Sequence, residues 1–257
     1  MKINFLFMVR KEPFFPTMWK RYFTNANVGI YVYSDLGYQT QDPFFQQHQI
    51  QHSTFKDSYH GAVTLKLDFL KKALKDGGDY FAFLTEDSLP LKSLSHLINT
   101  LDGRSIFSHV LDPHVKINDG RVQYDPPRPF DFPDHLRYKN DDWLILSLNH
   151  AKILVEQEQD CLGFECPNGG HGGEHFVSSV LNANNELKNV MNKTFVCEWW
   201  NDIPSPFIFT EIHNERIDLV NQLPHVFFLR KFQKDANLDS FNFLKTVLPA
   251  RSFKLFN

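Results

Sequence analysis

Short apolar runs that alternate with helix-like segments constrain the fold of this chain more than any other feature. The runs at residues 3–9, 29–33 and 80–84 lack the polar alternation of a half-exposed strand and are typical of strands that a sheet buries on both faces. Between these runs, apolar residues recur at helical spacing at 17–23 and 62–74, which predicts a helix in each connection. Because helical crossovers join parallel strands, the pattern predicts an α/β fold with a mostly parallel central sheet flanked by helices.

Length and charge narrow the class of protein. A chain of 257 residues can bury one large core, and no linker or repeat divides it, so we expect a single domain over 1–257. The formal net charge of -3 gives no overall attraction to nucleic acid or to an anionic membrane. We expect no membrane span, since no stretch approaches the ~20 apolar residues required, and no signal peptide. The odd number of cysteines, three, disfavours a disulfide scaffold and favours a reduced, cytoplasmic setting.

The second half of the chain has weaker periodicity. Residues 107–139 are rich in Pro, Asp, His and Arg, a composition that predicts a long loop. Loops of this length in a compact domain are commonly functional or mobile. A short strand at 143–148 and a helix at 150–156 follow.

Charged residues follow two of the apolar runs. Glu86 and Asp87 follow the run at 80–84, and open α/β sheets place their ligands beyond the carboxyl ends of the strands. Arg230 and Lys231 follow a second apolar run at 226–229. These cations could cradle a diphosphate, with Arg230 making a forked contact and Lys231 acting as a point charge, or they could form a solvated strand end.

A glycine-rich segment at 167–173 precedes a predicted helix at 174–181 and has two functional interpretations. Residues 171–175 read His-Gly-Gly-Glu-His, the H-x-x-E-H pattern of some zinc peptidases, in which one helix must hold both histidines on one face. Two glycines disfavour such a helix by about 1 kcal/mol each. The other interpretation makes Glu174 a general base that the loop brings to an acceptor hydroxyl. A surface glutamate that merely caps the helix is the third possibility.

Five segments of the chain resemble, in the same order, motifs of the core-2/I-branching N-acetylglucosaminyltransferase and protein O-xylosyltransferase family. The opening residues, 5–10 with 30–35, resemble F-x-F-L-x-R and I-Y-V-H-x-D. The others resemble L-L-S-E-S-D-x-P-L-K, K-G-S-D/Q-W, D-E-H-Y-F and F-A-R-K-F, and they lie at 83–92, 139–143, 174–176 and 228–232. The ordered set covers nearly the whole chain.

The resemblance implies a GT-A-like fold that transfers a sugar from a UDP donor with inversion, forming a β-linkage to a glycan or glycoprotein acceptor. Glu174 would be the general base, Arg230 and Lys231 would neutralise the departing diphosphate, and Asp35 would contact uracil. Residues 1–105 would form the nucleotide-binding half, and residues 106–257 the acceptor and catalytic half. The full set of implied donor contacts is Val9, Arg10, Asp35, Glu86, Asp87, Trp143, Arg230 and Lys231.

Departures from the family pattern refine these expectations. Gly173 stands where the family has an acid before its catalytic Glu, and Asn140-Asp141 replaces the "G-S" before the Asp/Gln-Trp pair. Asp142-Trp143 resembles the xylosyltransferase branch, whose Asp is a candidate base, so xylose is slightly preferred to N-acetylglucosamine as the transferred sugar. The absence of the family's anchor suggests a microbial or viral glycan pathway.

Two further questions stay open from the sequence. The basic pair implies that no metal is required, while Glu86 and Asp87 lie where many related enzymes bind Mn²⁺ or Mg²⁺. A non-catalytic sugar-binding relative of the same fold is the alternative to an enzyme, and loss of the base or of the cations would mark it.

Overall fold

A computed structural model describes residues 1–35, 38–50, 62–111, 115–118, 121–124, 133–165, 172–198, 208–211 and 214–238. The first part of the chain contains β1 (Ile3–Val9), α1 (Pro16–Tyr22), β2 (Val28–Ser34), α2 (Pro43–Gln46), α3 (Ala62–Lys75), β3 (Tyr80–Thr85), β4 (Leu89–Pro90) and α4 (Leu94–Thr100).

The second part contains shorter strands. They and the intervening helices are β5 (Ser105–Ile106), β6 (His109–Leu111), β7 (Val115–Asn118), β8 (Arg121–Tyr124), β9 (Tyr138–Asn140), β10 (Ile145–Ser147), α5 (Leu148–Glu156), α6 (Glu158–Leu162), α7 (Phe176–Ala183), β11 (Val190–Met191), β12 (Val196–Glu198), β13 (Phe209–Glu211), α8 (Asn214–Asn221), β14 (Phe228–Arg230) and β15 (Phe232–Asn237). Short 3-10 helices lie at Asp134–Leu136, Gly172–Glu174 and Leu187–Asn189.

The central sheet has six strands in the order β11-β5-β10-β3-β1-β2. Strand β1 pairs in parallel with both β2 and β3, and β11 pairs in parallel with β5. Strand β10 is the exception, since it runs antiparallel to both of its neighbours. The expected α/β fold with a mostly parallel central sheet is therefore confirmed.

The sheet is buried on both faces, which explains the continuous apolar runs of the sequence. Alternate residues of β1 belong to different cores: Leu6 packs in a cluster with residues of α3, α5 and α7, whereas Phe7 packs in a cluster on the opposite face. That second cluster is largely aromatic, with Trp19 against Phe7 at 4.9 Å and against Phe228 at 5.9 Å between ring centroids. Much of the high Phe content thus serves packing.

A second, three-stranded sheet carries the C-terminal basic pair toward the central sheet. Its order is β12-β14-β4, with β14 parallel to β12 and antiparallel to β4. Because β4 begins only two residues after Asp87 and β14 ends at Arg230, this pairing brings two distant segments of the chain together. The backbone N–H of Phe232 adds a contact between these segments by donating to the carbonyl of Asp87 at 3.1 Å.

Two expectations for the second half were wrong in part. Within the segment expected to be a loop, 107–139, the described residues include β6, which pairs antiparallel with β9, and the hairpin β7–β8. The helix expected at 174–181 begins at Phe176, and Glu174 lies in the 3-10 helix before it. Gly172 permits a close approach of this 3-10 helix to Phe164, because a Cβ there would lie 2.0 Å from the Phe164 carbonyl oxygen.

A buried polar chain connects the central sheet to α5. The Oγ of Ser105 lies 2.7 Å from Nδ1 of His150, whose Nε2 lies 3.4 Å from a carboxylate oxygen of Glu186. Burial lowers the pKa of His150, and the neighbouring Glu186 opposes that shift. The folded protein therefore binds a proton at His150 less readily than the unfolded chain does.

The lowered pKa of His150 should make the stability of the protein depend on pH. The stabilisation from neutral His150 is present above about pH 6.5, the ordinary value for histidine, and it is lost as the pH falls through the lower folded-state pKa. We expect the difference in melting temperature between the wild type and His150→Gln to shrink as the pH is lowered from 8 to 5. Thermal unfolding across that range measures it, and a constant or growing difference would contradict the assignment.

Candidate active site

The carboxyl ends of β1, β2 and β3 meet at one edge of the central sheet and bring four of the expected donor-binding residues together. The backbone N–H of Asp35 donates to the carbonyl of Arg10 at 3.3 Å, and Nε of Arg10 lies 3.4 Å from a carboxylate oxygen of Glu86. Val9, the last residue of β1, is fully buried. The strand register thus produces the polar edge at which parallel α/β sheets hold ligands.

Glu86 is held from two sides at this edge. Its backbone carbonyl accepts the N–H of Phe14 at 2.7 Å, and its side chain pairs with the largely exposed Arg10. Burial, the largest cause, raises the pKa of the Glu86 carboxyl, neighbouring Asp87 adds to the rise, and Arg10 opposes it.

Asp87 and Arg230 form a buried, forked ion pair between the ends of β3 and β14. Nε and one terminal nitrogen of Arg230 each donate to a different carboxylate oxygen of Asp87, both at 3.0 Å. The hydroxyl of Thr85 donates to the same carboxylate at 2.8 Å. The guanidinium stacks on the ring of Trp143, with Cζ 4.1 Å from the ring centroid. Planar stacking and forked bonding fix the orientation of Arg230.

The two carboxylates considered as metal ligands are both paired with arginine side chains. Both oxygens of Asp87 are committed to Arg230, and Glu86 is paired with Arg10. Across the part of the chain that the structure describes, no three His, Cys, Asp or Glu side chains are grouped so as to hold a metal ion. A Ca²⁺- or Mg²⁺-type site needs several oxygen ligands on one ion, and this edge presents its oxygens to cationic side chains instead.

Asp142 lies beside the turn that carries Glu174. The ammonium of Lys66 in α3 donates to Oδ1 of Asp142 at 2.8 Å and to the carbonyl of Gly173 at 3.1 Å. Lys66 is fully buried, whereas about a third of the Asp142 side chain, 32%, is exposed. The Asp142 carboxylate is therefore held from the interior and open on its outer side.

Glu174, unlike Asp142, pairs with a lysine at the surface rather than with one in the interior. It ends the 3-10 helix Gly172–Glu174, and its carboxylate lies 3.1 Å from Nζ of Lys139, a side chain that is 45% exposed. The Glu174 side chain is itself 25% exposed. A carboxylate paired with a half-exposed lysine can leave that partner at little cost, because such ion pairs are worth about 0–1 kcal/mol.

The geometry does not favour the zinc-peptidase interpretation. His175 is buried, and its Nδ1 lies 3.2 Å from the backbone carbonyl of Tyr138. His171 lies outside the described residues. Residues 172–174 form a 3-10 helix rather than the α-helix that would place both histidines on one face.

One dipeptide joins the two groups of residues. Asp142 contacts the turn of Gly173 and Glu174, and the adjacent Trp143 stacks on Arg230. Lys231 follows Arg230 and is half-buried, with its carbonyl accepting the N–H of Phe209 at 2.7 Å. Asp142 and Trp143 thus lie next to two charged segments, 173–174 and 230, that are far apart in the sequence.

Two contributors to this arrangement were not found from the sequence. Lys139 lies in a motif, but its contact with Glu174 depends on the packing of β9 against α7. Lys66 could have been found from the sequence, because it falls on the apolar face of α3, three residues after Val63 and four before Leu70. A charged residue on a buried helix face commonly has a specific partner, and that rule would have selected it.

The comparison with protein families decides the assignment. The model of the Core-2/I-Branching enzyme family matches residues 3–223. The chain belongs to this family. The matched range contains four of the five motifs, and the segment 228–232 follows it. The mixed α/β architecture agrees with the GT-A-like fold that the resemblance implied.

A curated relative points in the same direction. Glycosyltransferase BC10 of Oryza sativa subsp. japonica is 24% identical over 168 residues, which are 62% of this chain and 41% of the rice protein. The chain therefore spans less than half the length of that relative. Among the described residues, no helix has both the length and the apolar character that a membrane crossing requires.

Proposed function

We propose that this member of the Core-2/I-branching family is an inverting glycosyltransferase that moves a sugar from a UDP donor to a hydroxyl of a glycan or glycoprotein. The observation that carries the proposal is the Asp142–Trp143 link: Asp142 lies against the turn that carries Glu174, and Trp143 lies against the buried cation Arg230. Inverting transfer needs a base for the acceptor on one face of the sugar and positive charge for the leaving group on the other.

Glu174 is the base in this proposal. Its carboxylate accepts the proton of the acceptor hydroxyl while the hydroxyl oxygen attacks the anomeric carbon and the bond to UDP breaks on the opposite face. The pairing with half-exposed Lys139 supports this role, because an acceptor hydroxyl can displace that contact cheaply. Asp142 is less suited to the role, since protonation of its carboxylate would remove the counter-charge of the buried ammonium of Lys66.

Lys231 is the principal cation for the departing diphosphate. Arg230 and Asp87 already neutralise each other, so their pair adds orientation and hydrogen-bond donors rather than net charge. Lys231, the next residue in the chain, would add a point charge. Asp35, at the end of β2, would contact uracil, with the backbone of Val9 and Arg10 beside it at the same sheet edge.

Transfer proceeds without a divalent ion in this proposal, because Arg230 occupies both oxygens of Asp87. Xylose is slightly preferred to N-acetylglucosamine as the transferred sugar, on the strength of the xylosyltransferase-like Asp142–Trp143 pair. A non-catalytic sugar-binding relative is disfavoured, because Glu174, Arg230 and Lys231 are all present.

A titration of UDP with and without chelator tests the donor assignment. A nucleotide site that exists only in the folded state raises stability, by about 2.7 kcal/mol at 100 times the dissociation constant. We expect UDP to raise the melting temperature by the same amount in excess EDTA as in Mn²⁺. Absence of a shift with millimolar uridine nucleotides would remove the donor assignment, and a shift that requires Mn²⁺ would make Glu86 and Asp87 metal ligands.

A further inference from the structure

The fully buried Lys66 contacts two parts of the candidate active site at once. Its ammonium donates to Oδ1 of Asp142 at 2.8 Å and to the backbone carbonyl of Gly173 at 3.1 Å. The rings of Phe83 and Phe176 lie on the ammonium, with centroids at 6.0 and 5.8 Å. One side chain of α3 therefore joins the segment before β10 to the turn that carries Glu174.

The contacts of Lys66 with Asp142 and Gly173, called the junction below, are rigid because Lys66 is buried. An ammonium without access to water is strongly destabilised if it loses its counter-charge, because neither solvent nor an apolar ring replaces a carboxylate. The contacts with the rings of Phe83 and Phe176 contribute weaker, additional attraction. Asp142 is thereby confined to the rotamer that reaches inward, although its outer side faces solvent.

Gly173 provides an independent sign that the junction is specific. A Cβ at position 173 would lie 2.9 Å from Oδ1 of Asp142 and 3.4 Å from Nζ of Lys66. The first distance is shorter than real Cβ contacts, so a side chain at 173 would require Asp142 or the turn to shift. The absence of a side chain at this position is what lets the carboxylate and the backbone carbonyl share one cation.

We propose that Lys66 is a positioning residue that holds Asp142 and the Gly173–Glu174 turn together as one unit. Its catalytic consequence rests on the proposed function, because the carboxylate of Glu174 is directed by the backbone whose carbonyl Lys66 fixes. Catalytic groups need support that holds them to within a fraction of an ångström, and a misplacement of 1 Å can cost about 10²-fold in rate.

Unfolding measurements test the junction without any assay of activity. Asp142→Asn leaves the buried ammonium without its counter-charge and should lower the melting temperature, and Lys66→Met added to it should restore most of the loss. Lys72→Met, a change at an exposed position of the same helix, is the matched control and should not rescue Asp142→Asn. If the losses of Lys66→Met and Asp142→Asn simply add in the double variant, Lys66 and Asp142 do not form one unit.

Kinetics test the positioning role. In Lys66→Met we expect kcat to fall by about 10²-fold, with the KM for the donor and the affinity for UDP nearly unchanged. Gly173→Ala should lower kcat in the same way without removing a charge. An unchanged kcat in folded Lys66→Met would overturn the role.

The remaining outcomes separate the two proposals. If Lys66→Met does not fold, the variant with both Lys66→Met and Asp142→Asn takes its place, and its kcat should equal that of Asp142→Asn alone; a clear further loss would overturn the role. Rescue in the unfolding experiment, combined with a wild type that releases no UDP from any UDP-sugar, would refute the proposed function and leave the junction intact.

Discussion

Glu174→Gln should reduce the rate of sugar transfer by about 10² to 10⁴-fold while the affinity for UDP-sugar changes little. The amide keeps the size and polarity of the side chain but cannot accept the proton of the acceptor hydroxyl. Lys139 is a minor part of the effect, because it is half-exposed and its ion pair contributes little to stability. Steady-state kinetics give the rate, and calorimetric titration of the donor gives the affinity.

Asp142→Asn tests whether Asp142 rather than Glu174 is the general base. In the present account it loosens the Gly173–Glu174 turn and lowers kcat less than Glu174→Gln does. If Asp142→Asn abolishes transfer while Glu174→Gln retains most of it, Asp142 is the base and the roles of the two carboxylates are reversed. The stability of both variants has to be measured alongside, since Asp142→Asn also leaves Lys66 unpaired.

Arg230→Ala should have the largest effect on stability, about 3–5 kcal/mol, because it leaves a buried carboxylate without its cation. Arg230 and Asp87 are 8% and 5% exposed, so water cannot compensate. The variant should also lose donor affinity, since Trp143 loses the guanidinium that stacks on it. Urea unfolding and UDP calorimetry measure the two losses separately.

Two companion variants make this prediction specific. Adding Asp87→Asn to Arg230→Ala should recover much of the stability, because the unpaired charge is removed. Lys231→Ala should leave stability nearly unchanged while weakening donor binding together with turnover, because its charge meets the diphosphate in the ground state and in the transition state. Equal stability of Arg230→Ala and the wild type would show that the fork to Asp87 is not a structural contact.

The long, doubly buried elements were predictable because one physical cause dominates each of them. Strands β1 and β3 are buried along nearly their whole length, and α3 has a clear apolar face, so periodicity alone located all three. The strands between 107 and 139 were missed because β6 and β9 are three residues long, too short to show a period. The single extent 1–257, its division at 105, the cytoplasmic setting and the microbial or viral origin stay predictions.

Site residues that belong to short sequence motifs could be predicted. Contacts between residues far apart in the sequence could not. Motif order selected Glu174, Asp142 and Arg230. The fork between Arg230 and Asp87 joins residues 143 positions apart and depends on the pairing of β14 with β4. No local pattern encodes that contact, and the possible role of Asp87 as a metal ligand stays a prediction.

The configuration of the sugar first released from a UDP-sugar tests the central claim most directly. Water can replace the unknown acceptor, so slow turnover of UDP-xylose or UDP-N-acetylglucosamine can be followed by proton NMR before the product anomers equilibrate. The donors are α-linked, and an inverting enzyme with Glu174 as base predicts UDP release together with the β anomer, both lost in Glu174→Gln. Release of the α anomer first, or no UDP release from either donor, would contradict the account.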